Sequence, residues 1–334
     1  MKLIQRQFTW FLGCVFSFIS FQVTAQAYTF SHYIAGIHKP EDLVKIPGTQ
    51  WVLVSAMTTD ETSSGSIYVV DTVTQNYRKL FPLSAALNFR FAPHGISLHH
   101  TQSGGLELLV VNHGSREAIE FFQVEILAGK PVLTWKNYLE FPKEVWANGV
   151  VTAQDGKIYA TAMYDPNDAA FLEKFEQAQP TGKVWVYEAA TGWKPFENYA
   201  FSGANGINLS ADERFLYVSE WAHRQLWKFD LKKEQLPQSV QLNFLPDNIR
   251  WTTDGTLLVS GQNGASYDVF TCPEISERCK NYTVVRVAPK TMEFEELIRS
   301  GNTQFGNGTV ALEVGETIWV GNVLTDKVAI FKRD

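Results

Sequence analysis

Short apolar runs come in pairs along this chain, and the pairs recur. WVLVSAM (51–57) precedes GSIYVVD (65–71), and GLELLVVNH (105–113) precedes AIEFFQVEI (118–126). KIYATAMYD pairs with GKVWVYEAA, RFLYVSEWA with QLWKFDL, TLLVSGQN with TVVRVAPK, and TIWVGNVL with VAIFKRD. Each run alternates or stays apolar over the length of a strand, with turn residues between the two members. Each pair therefore predicts two antiparallel strands.

Ahead of each pair lies one more short apolar stretch that opens on polar residues. These are EDLVKI from 41, PHGISL from 93, ANGVVTA from 147, ANGINLS from 204, DNIRWT from 247 and GTVALEV from 308. Their starts are roughly 40 to 60 residues apart, the period of a unit of about four short strands. The turn after this leading stretch also recurs, as AQDGK, SADER and TTDGT. Such a unit is a propeller blade. The expectation is an all-β chain: a six-bladed β-propeller with four-stranded blades. A β-sandwich would also supply many short strands, but nothing in a sandwich keeps this register.

One segment breaks the pattern. NDAAFLEKFEQAQP (167–180) has helical spacing, with Phe171, Leu172 and Phe175 on one side. It interrupts the third blade between its second and third strands, and reads as a packed surface helix or as a lid or membrane-facing helix near the channel mouth.

The first 27 residues have a different character. Lys2 and Arg6 precede an apolar stretch from Trp10 to Val23, followed by the small-residue site Ala25-Gln26-Ala27. This predicts a signal peptide over 1–27, a single propeller domain over 28–334, and an exported chain. Beyond the signal peptide only Cys272 and Cys279 remain. In an exported protein this pair predicts a disulfide. The net charge of −6, with no basic run, argues against nucleic acid as a partner.

In a propeller the innermost strand of each blade lines the central channel, so residues at its start converge at one end of the axis. Glu41 and Asp42, His94, Asn148, Asn205, and Asp247 with Asn248 occupy that position in five of the six blades. Pro-Asp-Asn is ordinary turn chemistry at any one of these points, but turns give no reason for recurrence in register. Glu41, Asn148, Asn205, Asp247 and Asn248 offer only oxygen to a metal. Two carboxylates and three amides suit Ca2+ better than zinc or copper. His113 ends the strand neighbouring that of His94, so antiparallel pairing brings the two rings together, and a histidine there can serve as base or proton shuttle.

EDL (41–43), APHGIS (92–97), VVNH (110–113), ANGIN (204–208) and PDNI (246–249) together resemble the serum paraoxonase/arylesterase family, in the same order and over nearly the whole chain after the signal peptide. The resemblance implies a six-bladed propeller with two calcium ions in its channel and hydrolysis of lactones and aryl esters. It implies Glu41, Asn148, Asn205, Asp247 and Asn248 as ligands of a catalytic calcium and His94 and His113 as a histidine dyad. It also implies Asp42 and the Ile96 carbonyl as ligands of a buried structural calcium. Three features depart from the family. Gly149 stands where the family places an aspartate ligand of the structural ion, so that site needs water or another group. No cysteine can tie the N-terminal region to the C-terminus, so ring closure falls to strand pairing. The segment at 167–180 is too short and charged for the family's membrane-associated helix, and membrane association is not carried over.

The resulting expectation is a calcium-dependent lactonase or arylesterase acting on a small-molecule lactone or ester. The alternatives are a gluconolactonase-type sugar-lactone hydrolase, which would not need the PHGIS and VVNH pair, and a non-catalytic propeller platform with a structural calcium. A strictosidine synthase-like propeller needs no metal, and the five-residue oxygen set argues against it.

Overall fold

A computed structural model describes residues 28–58, 60, 62–82 and 89–334. The predicted signal peptide lies outside the described residues. Six four-stranded antiparallel sheets follow one another around an axis, as the repeat predicts. The innermost strands of blades 1 to 6 are Pro40–Lys45, Pro93–His100, Trp146–Thr152, Ala204–Leu209, Leu245–Trp251 and Gly308–Val314.

The apolar runs are continuous, as in LLVV, because both faces of each inner sheet are buried. Leu108 and Val110 point toward blade 1, while Leu109 and Val111 point toward blade 3. Six hydrophobic clusters result, one between each pair of neighbouring blades. A fully buried aliphatic side chain in such a cluster contributes roughly 1.5–3 kcal/mol. The outermost strands face water and lose the pattern: Gln238–Gln241 reads QSVQ and is largely exposed.

The last blade is built from both ends of the described chain. Tyr28–Ala35 forms its outer strand against Lys327–Arg333, in a ladder from Tyr28↔Arg333 to Ala35↔Lys327. Ile34 is buried in the cluster between blades 6 and 1. Strand pairing therefore closes the ring.

Two insertions meet at one end of the axis. In blade 3, α1 (Phe171–Glu176) is shorter than the sequence suggests, because its flanks turn within hydrogen-bonded loops. In blade 5, α2 (Ser266–Phe270) was not legible in the sequence. The predicted Cys272–Cys279 disulfide is present and pins the loop that follows α2. Phe175 is buried against Trp221 and Phe270, with ring centroids 5.3 and 5.5 Å away. The helix thus spends its apolar face inside the protein. Among the described residues no helix is long and apolar enough to cross a membrane.

Removing residues 28–35 would open the edge of Lys327–Arg333, and open edges promote association. The truncated chain is expected to melt at lower temperature and to self-associate, as read by calorimetry and sedimentation. An unchanged melting curve with a monomeric chain would show that the blades hold without this closure.

Candidate functional site

Each innermost strand is irregular at its polar start. Pairing with the second strand slips between Pro40 and Asp42, Pro93 and Ile96, Ala147 and Val150, Ala204 and Ile207, Pro246 and Ile249, and Gly308 and Val310. Glu41, His94, Asn148, Asn205, Asp247 and Asn248 all fall inside these slips. A bulge leaves a residue out of the ladder and re-aims its side chain. The glycines that follow serve close approach. A Cβ on Gly95 would strike the Asn148 carbonyl, and one on Gly206 would strike the Asp247 carbonyl. Only glycine lets adjacent innermost strands come so near.

Glu41, His94, Asn148, Asn205 and Asp247 line a cavity of about 330 Å³ at the mouth of the channel. Glu41, Asn148, Asn205 and Asp247 are buried at 0, 3, 2 and 6 % exposure. One oxygen of each, Glu41 Oε2, Asn148 Oδ1, Asn205 Oδ1 and Asp247 Oδ1, is buried without a hydrogen-bond partner. An unpaired buried acceptor costs about 1–3 kcal/mol, and more when charged. Four from one predicted ligand set, at one mouth, fit a hard divalent cation. Asn248 joins them by donating from Nδ2 to Glu41 Oε1 at 2.7 Å. Among the described residues, no three His, Cys, Asp or Glu side chains form a metal-binding group; the mouth mixes two carboxylates with amides.

Electrostatics point the same way. Burial, and then the charges of Asp42 and Asp247, push the Glu41 carboxyl far above its usual range. Burial pushes Asp247 up to about 7, with Asp42 adding to the rise. A cation between them would reverse both shifts.

The histidines meet as predicted. His113 Nε2 lies 3.0 Å from His94 Nδ1. Behind them stands Glu117, its Oε2 2.8 Å from His113 Nδ1 and its Oε1 accepting the Ala147 amide at 2.7 Å. A carboxylate only accepts, so His113 carries its proton on Nδ1 and offers a lone pair at Nε2. His94 must then donate from Nδ1, which leaves the His94 Nε2 lone pair facing the mouth. Asn148 Nδ2 is 3.3 Å from that nitrogen and Glu41 Oε1 is 3.7 Å away. Burial, and then the neighbouring His113, hold the His94 pKa well below its ordinary value, so the ring is neutral. Trp146 stacks on His113 at 4.3 Å between centroids and holds its plane.

Asp42 and Ile96 lie elsewhere. Asp42 faces away from the mouth, and both its carboxylate and the Ile96 carbonyl accept from the Arg250 guanidinium. Burial raises the Asp42 pKa while Arg250 opposes the rise. A carboxylate and carbonyl already held by a buried guanidinium do not fit a second divalent cation.

Several site residues escaped the sequence reading. Gln262 donates to Asp247 Oδ2 at 2.7 Å and is oriented by Trp221 Nε1 at 2.8 Å. Its signal was the repeat: Gln262 follows the partner of Pro246 as His113 follows the partner of Pro93. Thr309 supplies the sixth blade, donating to the Glu41 carbonyl at 2.6 Å. Glu117 is the direct cross-strand partner of His113.

Fold and site together define a six-bladed propeller with an oxygen-lined axial pocket and a histidine pair. Within that class, the chain belongs to the Arylesterase family, whose sequence profile matches residues 34–323. Human serum paraoxonase/arylesterase 1 is 30% identical over 171 residues, covering 48% of this chain and 45% of that protein. Human serum paraoxonase/lactonase 3 is 28% identical over 195 residues, covering 55% and 53%. The chain thus spans about half the length of the curated relatives it matches. Among solved structures, a gluconolactonase from Xanthomonas campestris aligns with TM-score 0.53 at 12% identity, over 92% of this chain and 95% of that one. The calcium-binding protein regucalcin from Agrobacterium tumefaciens aligns with TM-score 0.53 at 10% identity, over 93% and 97%. At such identities the likeness is one of fold.

The raised Asp247 pKa carries a pH dependence. Its contribution to metal-free stability is fully present below the unfolded value of about 4 and is lost as pH rises through about 7. In chelator, Asp247→Asn is therefore expected to gain melting temperature relative to the unsubstituted protein between pH 4 and 8. Saturating calcium should reverse that order. A pH-independent difference in chelator would show that Asp247 is not a buried, uncompensated acid.

Proposed function

We propose that this chain is an exported, calcium-dependent hydrolase of lactones or aryl esters. The carrying observation is the set of four unpartnered buried oxygens, on Glu41, Asn148, Asn205 and Asp247, beside His94 Nε2, whose lone pair faces the mouth. Family membership supports a hydrolase, and the disulfide supports export.

Glu41, Asn148, Asn205, Asp247 and Asn248 would hold the calcium. When bound, it supplies Lewis-acid polarisation of the substrate carbonyl. His94 Nε2 takes a proton as water adds to the carbonyl carbon. The His94 Nδ1 proton passes to His113 Nε2, placing the positive charge beside the Glu117 carboxylate. The ester C–O bond then breaks, the leaving oxygen takes the Nε2 proton of His94, and His113 Nε2 returns its proton to His94 Nδ1, restoring both rings. A lactone opens to its hydroxy acid; an aryl ester gives acid and phenol. Trp146, Tyr164, Trp221 and Phe270 wall the cavity, which favours an apolar acyl or aryl group over a sugar lactone.

His94→Gln keeps a polar group of similar size and removes the titrating ring. Turnover of lactones and esters is expected to fall by about 100- to 10,000-fold, with calcium affinity and melting temperature retained. Wild-type rates in this variant on every lactone and aryl ester tested would remove His94 from the chemistry.

Glu117→Gln tests the positioning of the pair. Its amide would donate to His113 Nδ1 and reverse both tautomers, burying the base's lone pair in the wrong direction. Turnover should drop by roughly 100-fold or more, as tautomer reversal does in other triads. The imidazole 15N shifts of His94 should change while the melting temperature stays close to wild type. Unchanged 15N shifts would refute the relay.

A further inference from the structure

Arg250 sits on the innermost strand of blade 5, is 9 % exposed, and points into the channel below the mouth. Its Nε donates to the Leu43 carbonyl at 2.7 Å and its Nη1 to the Ile249 carbonyl at 2.9 Å. Its Nη2 donates to the Ile96 carbonyl at 3.0 Å and to the Asp42 carboxylate. The guanidinium thus gathers one carboxylate and three backbone carbonyls from blades 1, 2 and 5. An all-oxygen set of carbonyls and carboxylate is what a hard cation takes, yet here an organic cation holds it.

We infer that Arg250 is a covalently tethered replacement for a second cation, and that this propeller carries a single calcium ion. Charge supports the assignment. Three carboxylates are buried in the channel: Glu41, Asp42 and Asp247. Arg250 neutralises Asp42 directly, and the two that remain balance one divalent ion at the mouth. A second divalent ion would need a further carboxylate beside Asp42. Gly149, in the blade 3 strand, offers none, and the Thr161 hydroxyl accepts its amide at 2.8 Å and donates to the Asn205 carbonyl. Losing an acid and gaining a guanidinium leaves the charge matched.

The substitution changes what calcium does. A guanidinium cannot be chelated, so the seam between blades 1, 2 and 5 stays tied when metal is withdrawn. Integrity of that seam is thereby separated from occupancy of the mouth, while calcium at the mouth still adds its own binding energy to the melting temperature. The count of one ion rests on the proposed calcium site; the role of the guanidinium in the seam does not.

The test is a count of tightly bound calcium per chain by equilibrium dialysis of the full-length protein, paired with melting curves in chelator. The expected counts are one for the wild type and none for Asp247→Asn. Two ions in the wild type, or one that survives in Asp247→Asn, would overturn the assignment. In chelator, Arg250→Ala should melt about 5–15 °C below wild type, since it strands the buried Asp42 carboxylate; an equal melting temperature would overturn it. If Arg250→Ala does not fold, Arg250→Lys keeps the charge with fewer directed donors. It should fold with a smaller loss and still bind one ion; a second ion in it would count against the proposal. No ion in the wild type would instead defeat the mouth site, while the melting arm still decides the role of Arg250.

Discussion

Three carboxylates inside one narrow channel set the terms for this protein. Glu41, Asp42 and Asp247 are 0, 1 and 6 % exposed; burial raises the pKa of each, Asp42 and Asp247 raise that of Glu41 further, and Asp42 adds to that of Asp247. Buried charge is costly unless it is paired, and like charges at close quarters add to the cost. The structure answers in two ways. Below, a guanidinium with all three nitrogens engaged takes Asp42. Above, amides from three blades surround the other two acids and leave their outward oxygens free. The first answer is permanent; the second invites an exchangeable ion. The proposed activity resides at the exchangeable end.

The blades make that arrangement geometrically possible. A regular strand alternates its side chains, so two neighbouring residues cannot both serve the axis. Slips at the start of all six innermost strands remove that restriction at one level of the channel. Glycines then allow the strands to close in until backbone nearly touches backbone. The apolar clusters between blades keep the slips in place, since shifting one strand by a residue would turn its aliphatic side chains from one neighbour to the other. The insertions carrying α1 and α2 sit outside this framework. They can shape the pocket wall without disturbing the ring.

The histidine pair depends on a similar division of labour. Its orientation comes from hydrogen bonds that run one way, from Glu117 through His113 to His94, with Trp146 holding the plane of the middle ring. A group that donates at any point along this line would reverse the outer lone pair. The acid that fixes the direction is four residues from His113, in the same hairpin, so one local turn encodes the direction of these hydrogen bonds.

The sequence alone determined the blade count, the innermost strands and most of the mouth, because these follow from local signals: apolar runs of strand length, turns in register, and polar residues at a repeated position. Glu41, His94, Asn148, Asn205, Asp247 and Asn248 could be read from the repeat before any coordinates. Tertiary structure decided which of them share a cavity and which do not. Asp42 looked like its neighbour Glu41 in the sequence, yet the slip between blade strands sends the two side chains apart. Arg250 looked like an ordinary strand residue. Its partner Asp42 is 208 residues away, as Asn248 is 207 from Glu41, and only closure of the ring brings such positions together. Local pattern encodes a strand and its face, whereas the pairing of charges across the axis is a property of the closed circle.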